Sequence, residues 1–575
     1  MPMTDYSHLA EEQPILKQPL FWLLLICAVN FFAFLGGHSL WDVDEPNNAV
    51  CAREMLLAGN WWVPMFNGDY RFDKPILIYW LMIPLDALFG VNEWTARLPS
   101  AFAMTGLVLV IWGMTRRLMV ASTSVFRDNS TACDNAALIA AGTFATALHI
   151  IVIARAAVPD PLLMLALGVA LPALLISYLE QKQQPSERMP GLVIVAYIAI
   201  GLGTLAKGPI AGLMPLLIVA AFLTLMGDWR SWRLFHPFKG ALIALAVALP
   251  WYVAVGILTH GAWLEGFIFH HNIDRFTDPL QGHRGFPGLY ILSVLLGWFP
   301  WTGLLAAMLW FGSWRLKFLR EEPVRLFMLC WIGVYILFFS IARTQLPNYV
   351  LPLFPAAAML MAYGWTYAST EVRQRAVHWL VWTALVLSTG IVIGGGFGLE
   401  KQWPGEGYYI LAMLPMLLAS VWLIWKKQWL WKRNEQSGRG GIILAVAMAV
   451  SMLLLAGWSV KGIDHNKISN ALAARATEAG FDGSELATFH YFQPSLLFYH
   501  GGRLPMLTEV GAVGAWLVAG KAVVMPQEAL ELLPKEIIPY LIVHDRVYGM
   551  YARRWLLLVS LQPQTPANIP TGKEG

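Results

Sequence analysis

The sequence predicts a polytopic, mainly α-helical membrane protein of about thirteen spans, with interfacial helices in its first outer loop and a small C-terminal α/β domain. Three observations carry this. Hydrophobic residues make up 57% of the 575 and charged residues 13%, about half the charged share of a soluble chain. Mean hydropathy is +0.55, and the apolar residues fall in runs of about twenty, the length that crosses a bilayer core. The 27 tryptophans suit a chain with many membrane–water borders.

The apolar windows run 20–39, 98–115, 134–154, 161–179, 191–206, 209–226, 240–258, 289–311, 324–342, 346–366, 378–398, 407–425 and 441–460. The first lacks a small-residue cleavage site and reads as a retained span. The stretch 75–90 holds Asp86 and two prolines, so it reads as re-entrant or interfacial. With the N-terminus cytoplasmic, the loops "TRRLM", "QKQQPSER", "GDWRSWRLFHPFK", "WRLKFLREE", "STEVRQR" and "KKQWLWKRNEQSGR" all fall inside, and each is basic, as the positive-inside rule requires. Residues 40–97, 259–288 and everything after 461 then lie outside. This divides the chain into a membrane region, 1–460, and an extracytoplasmic domain, 461–575. In the latter, "SNALAARATEAGF" reads as an amphipathic helix, and "LATFH", "WLVAG", "AVVMP", "YLIVHD" and "WLLLVSL" read as strands.

Some classes are excluded. The net charge of +4 is not gathered into a nucleic-acid patch. Cys27, Cys51, Cys133 and Cys330 are scattered without a CxxC pair, which argues against a disulfide framework or zinc ribbon. No internal repeat is visible, unlike many secondary transporters.

The outer segments hold an unusual set of ionisable groups. "LWDVDEPNNAVCAREM" places Asp42, Asp44, Glu45 and Arg53 just after the first span, and "GDYRFDKPILIYW" adds Arg71, Asp73 and Lys74. Further along come Arg155 and Asp160 in "ARAAVPDPLLM", and Lys207 in "LAKGPIAG". "FHHNIDRFTDPLQGHRG" follows with His270, His271, Asp274, Arg275, His283 and Arg284, and "IARTQLPNYVLPLFP" with Arg343, Gln345, Asn348 and Tyr349. All map to one side of the membrane. Groups of both signs at one depth suit an anionic lipid headgroup with a polar co-substrate.

Each has a plainer reading. Glu45-Pro46 could open a helix over Pro46–Ala58, with an acidic N-cap, an end at Gly59 and anchors at Trp61 and Trp62. That accounts for one acid of the three. Asp160 between two prolines also looks like an N-cap. Lys207 could snorkel at a helix C-terminus, the histidines could be ordinary loop residues, and Arg343 could be an interfacial anchor.

In their order, "DE", "AREM", "GNWWVPMFNGDYRFDKPILIYW", the Asp opening the fourth span, "LAKG", "HHNIDRF" and "LPNYVLPLFP" resemble one family. It is the protein O-mannosyltransferase and lipid A aminoarabinose transferase family of C-type membrane glycosyltransferases, and the motifs that carry the likeness span residues 40 to 355. The resemblance implies transfer of a sugar from a polyprenyl-phosphate donor, with no nucleotide cofactor, to a glycolipid such as lipid A or to a protein. It places this on the extracytoplasmic face of the cell inner membrane. It also implies a catalytic centre at Asp44, with Glu45 and Asp160 beside it, and phosphate contacts from Lys74, Arg275 and Tyr349, to which Lys207 adds a cation. A divalent ion (Zn, Mg or Mn) is implied at Asp73 and His270. The sequence departs from the family at Asn48 and Arg71, where Tyr is frequent, and at Asp73, where Glu is frequent.

The chemistry fits these residue types. Breaking a sugar–phosphate bond builds negative charge on the departing phosphate, which cations stabilise. A carboxylate can take the acceptor's proton or steady the ring charge. A transporter or flippase of a lipid-linked sugar would instead place charge near the bilayer midplane and pair broken helices. The mid-span positions here are nearly free of charge. A receptor or scaffold would need no such gathering of Asp, Lys, Arg and His.

Overall fold

The computed structural model describes residues 18–122, 130–186, 188–268, 286, 288–312, 315–426, 437–549 and 553–562. Eight of its helices are long and apolar enough to cross a membrane: Glu93–Ser122, Asp160–Gln183, Trp229–Leu258, Pro323–Ile341, Pro347–Tyr367, Thr370–Gln402, Gly407–Trp425 and Arg439–Asn466. Two further pairs are broken, Ser130–Ala145 with Leu148–Ala154 at 64°, and Leu289–Gly297 with Thr302–Trp310 at 118°. Counting each pair as one span gives ten. Among the described residues, eight to ten of the expected thirteen spans are therefore helices or broken pairs long enough to cross a membrane. Hydropathy windows register apolar length but not where a helix stops: Pro19–Phe32, Gly191–Lys207 and Ile210–Met226 are shorter, and 134–154 and 289–311 each contain a sharp bend.

The chain after the first apolar helix, α1 (Pro19–Cys27), turns into α2 (Asp44–Leu57). A two-strand hairpin follows, β1 (Met65–Phe66) and β2 (Asp69–Tyr70), then α3 (Leu77–Phe89), which leads into α4 (Glu93–Ser122). Helix α3 buries Ile78, Tyr79, Met82, Ile83 and Asp86 while Leu81, Leu88 and Phe89 stay exposed, as an interfacial helix would. The densest packing lies around Asp160–Gln183, nearly all of whose side chains are buried.

The C-terminal region carries a five-stranded sheet in the order β4-β3-β5-β7-β6. Its strands are β3 (Leu486–Phe489), β4 (Met506–Leu507), β5 (Ala522–Pro526), β6 (Leu541–Gly549) and β7 (Arg554–Leu561). Strands β4 and β5 flank β3 in parallel, and β7 runs antiparallel to both β5 and β6. "WLVAG" is not a strand. It ends a helix, Val510–Val518, which buries Val513, Gly514 and Leu517 at helical spacing.

This sheet region is fastened to the α2 loop. Arg53 donates to the carbonyls of Phe498 (2.8 Å) and Leu497 (3.2 Å). Asn67 exchanges two bonds with Leu504, and the Tyr499 hydroxyl accepts from Leu40 N and donates to Glu93. Lys467 lies 3.5 Å over the Trp41 ring and bonds the Ser39 carbonyl. Charged side chains on backbone carbonyls make strong bonds, and their partners would be orphaned without them.

Candidate active site

The three acids that open α2 have three different surroundings. Asp42 accepts bonds from Gln493 Nε2 (2.8 Å), Ser495 N (2.9 Å) and Ser495 Oγ. Burial pushes its carboxyl up, and the Ser495 and Gln493 bonds oppose this only in part. Glu45 is buried and saturated. Its Oε1 accepts from Arg97 Nε (2.8 Å) and Ala157 N (2.9 Å), and its Oε2 from Arg97 Nη2 (2.7 Å) and Trp41 N (2.8 Å). Burial alone would raise its pKa, but the adjacent Arg97 guanidinium and these bonds hold it below the usual range. Asp44, first residue of α2, is exposed.

Two expectations are corrected here. Glu45 is not a helix cap, and with a bond on each of its about four lone-pair sites it has none left to take a proton. It holds the turn that presents Asp44. Arg97, absent from the sequence-based candidates, is what makes this work. Fully buried, it also donates to the carbonyls of Leu35, His38 and Ser39. An arginine at the edge of an apolar run was the available signal.

The same knot reaches Asp160. Ala157 gives its N–H to Glu45 and its carbonyl to Asn48 Nδ2 (2.9 Å), and Ser100 Oγ bonds the Val158 carbonyl. The first turn of α2 is thereby stitched to the segment that opens Asp160–Gln183. Asp160 sits inside the first turn of that helix rather than capping it, and ion-pairs with Lys207 at 2.6 Å. Lys207 ends its own helix and lies 5.7 Å from the centre of the Tyr349 ring. Three candidates from separate helices therefore meet. Gly208 (φ +83°) stops the Lys207 helix, and a Cβ there would come 2.7 Å from Phe267. Lys207→Met should cost about 3 kcal/mol by stranding the Asp160 charge, and adding Asp160→Asn should recover part of the loss. Thermal unfolding that drops equally in the single and double variants would reject this coupling.

The loop carrying Lys74 packs beside that cluster. Trp263 Nε1 donates to the Arg71 carbonyl (2.7 Å), and a Cβ on Gly266 would meet the Phe72 ring at 2.7 Å. Trp263 and Phe267 stack at 4.8 Å, so one aromatic frame borders both the Lys74 loop and the Lys207 turn. Lys74 is half-buried. His270 and Arg275 lie outside the described residues.

The divalent ion implied by the resemblance meets a poor donor set. Arg71 Nη2 stands 3.0 Å from Asp73 Oδ2, and among the described residues no three His, Cys, Asp or Glu side chains gather. A guanidinium fixed on that carboxylate repels a second cation, and His270, the other residue the resemblance implies, lies outside the described residues.

A cavity of about 320 Å³ opens where the two broken pairs meet, lined by Leu148, His149, Val152, Leu292, Leu296 and Pro347. Ser293 Oγ bonds the Pro347 carbonyl at its edge, two residues before Tyr349. The cavity was invisible in the sequence because both breaks lie inside continuous apolar runs.

The chain is similar to known proteins in sequence and in fold. Residues 73–253 match the family described as dolichyl-phosphate-mannose-protein mannosyltransferase. The undecaprenyl phosphate-alpha-4-amino-4-deoxy-L-arabinose arabinosyl transferase of Erwinia tasmaniensis is 31% identical over 339 residues, 59% of this chain and 58% of that protein. The chain thus spans less than two thirds of that relative. The protein of the same name from Enterobacter sp. (strain 638) is 29% identical over 70% of this chain and 69% of its own. The fold is similar to the crystal structure of ArnT from Cupriavidus metallidurans bound to undecaprenyl phosphate, with a TM-score of 0.74 at 19% identity, covering 95% of this chain and 99% of that one. Its apo form gives 0.73. With relatives at 29% to 31% identity and a similar fold over nearly its whole length, the chain is similar to the undecaprenyl phosphate-aminoarabinose arabinosyl transferases in sequence and to ArnT in fold.

Proposed function

We propose that this protein transfers a sugar from a polyprenyl-phosphate donor to a lipid A-like glycolipid at the extracytoplasmic face of the inner membrane. The meeting of Asp160, Lys207 and Tyr349 beside an apolar cavity carries this reading. A phosphate wants the cation, and an isoprenoid tail wants the groove. The names of the relatives support the donor class. Thirteen spans follow if the three short apolar helices also cross the bilayer. The basic loops then place the N-terminus inside and the residues from 461 outside.

In the reaction the acceptor oxygen attacks the anomeric carbon as the bond from that carbon to the phosphate oxygen breaks. The electron pair leaves on the phosphate, where Lys74, Lys207, Arg275 and Tyr349 stabilise it. Asp44 takes the proton of a hydroxyl acceptor; facing an acceptor already anionic, it steadies the positive ring instead. Asp160 positions Lys207, and Glu45 positions Asp44.

Purified protein in detergent, given polyprenyl-phosphate sugar and lipid A, is expected to form glycosylated lipid detectable by mass analysis. Because transfer without a sealed membrane cannot be transport, failure there would favour the flippase reading. The broken pairs do not by themselves favour transport, since the cavity between them is lined by apolar side chains with one histidine and one serine and no acid or cation. Lys74→Ala is expected to raise the donor KM about tenfold with a smaller effect on kcat. An unchanged donor KM would move the phosphate away from this loop.

A further inference from the structure

A second cavity, of about 450 Å³, opens in the C-terminal sheet region, with His490, Tyr491, Gln493, Thr508 and Arg554 in its wall. It lies just beyond the carboxyl ends of β3 and β4 and beside the first residue of β7. Strands β3, β4 and β5 are parallel, and open α/β sheets take their ligands outside the carboxyl ends of such strands.

The lining is one-sided in charge. Among the described residues it holds a guanidinium and an imidazole but no carboxylate. Arg554 makes one hydrogen bond among the described residues, from Nη2 to the His490 carbonyl at 2.7 Å, and its Nε has no partner there. A purely structural arginine would engage more of its donor fork. The same bond steadies His490, which is exposed and has φ +49°, a left-handed conformation that is costly outside glycine. Thr508 adds an exposed hydroxyl at the rim.

The pocket is joined to the start of α2. Gln493 accepts from the Tyr491 hydroxyl and gives its Nε2 to Asp42 (2.8 Å), two residues before Asp44. Glu45, which follows Asp44, bonds Ala157 N on the way to Asp160 and Lys207. Asp44 therefore stands in the chain between an attachment to this pocket and an attachment to the Lys207 cluster. Transfer at Asp44 needs a donor phosphate from one side and an acceptor from the other.

We propose that this pocket is a subsite for the acceptor, taking an anionic saccharide, the phosphorylated head group of a glycolipid, on Arg554 and His490. A guanidinium grips phosphate with two parallel donors, which gives selection as well as affinity. The inference rests on the function proposed above and names what selects its acceptor. Arg554 and His490 touch the head group, not the reacting atoms.

The experiment measures binding to the full-length protein in detergent. The probes are lipid A, the same lipid A stripped of its phosphates, glucosamine 1-phosphate and undecaprenyl phosphate. The parent is expected to prefer lipid A to its dephosphorylated form by about tenfold. Arg554→Gln is expected to lower affinity for lipid A about tenfold and to leave the dephosphorylated form unchanged, so that the preference disappears; Arg554→Lys should lose about threefold. An arginine that only braces the fold would weaken both forms equally. Thr508→Trp narrows the mouth without touching the bond between Arg554 and His490. It is expected to weaken lipid A binding about tenfold with undecaprenyl phosphate unaffected, and it decides the matter if Arg554→Gln does not fold. A parent that binds both forms alike, a preference that survives Arg554→Gln, or unchanged lipid A binding in Thr508→Trp each overturn the proposal. Glucosamine 1-phosphate should bind far more weakly than lipid A; equal affinity would assign the pocket to a free sugar phosphate and overturn the acceptor reading. Selective lipid A binding without sugar transfer would count against the proposed function and leave the anionic-saccharide site standing.

Discussion

Asp44→Asn is expected to lower kcat by about a hundredfold to ten-thousandfold, the span of a lost general base or charge stabiliser, while the unfolding temperature barely moves. The reason is local. Asp42 is bonded by Gln493 and Ser495, and Glu45 by Arg97, Trp41 and Ala157, so the fold draws on both. Asp44 is exposed at the start of α2, and an isosteric amide there costs the structure little. The measurement pairs turnover at saturating donor with a thermal melt. Near-parental turnover would remove Asp44 from the reaction centre, and a collapsed melt would make it a structural residue instead. Donor affinity should change little, which separates this variant from Lys74→Ala.

Arg97→Met should act in the opposite way, costing stability first. It leaves Glu45 as a buried, unpaired carboxylate and withdraws donors from three carbonyls. Breaking a buried pair in this manner costs about 3–5 kcal/mol. That guanidinium fixes Glu45, which in turn bonds Trp41 N before Asp44 and Ala157 N before Asp160, so turnover should fall with the unfolding temperature. Adding Glu45→Gln should return part of the stability but not the activity, because the amide cannot accept four bonds. A melt unchanged by Arg97→Met would refute this account. The pH dependence has a definite sign. The folded pKa of Glu45 is depressed, so its contribution is complete above the ordinary glutamate range and is lost as pH falls through and below it.

Much of the architecture was legible in the chain. A span is a local property, since some twenty apolar residues suffice whatever surrounds them. Bends are less local. The break after Ala145 and the turn around Pro300 lie inside unbroken hydropathy, which is why two of the thirteen windows hold bent pairs rather than straight helices. "WLVAG" failed as a strand because a five-residue window cannot separate period two from the helical spacing of Val513, Gly514 and Leu517.

The candidate site divides along the same line. That acids and cations gather near one end of the spans followed from residue types and the alternation of basic loops. Which of Asp42, Asp44 and Glu45 remains available did not, because the deciding partners stand far away in sequence: Arg97 lies 52 residues from Glu45, and Gln493 lies 451 from Asp42. The sequence by itself determined the membrane class, the positions of its apolar runs and the chemistry that could be assembled. The tertiary structure alone decided which carboxylates are consumed in holding the fold and which one stands exposed. A charge's role depends on what lies within about 3 Å of it, and no linear spacing encodes that distance.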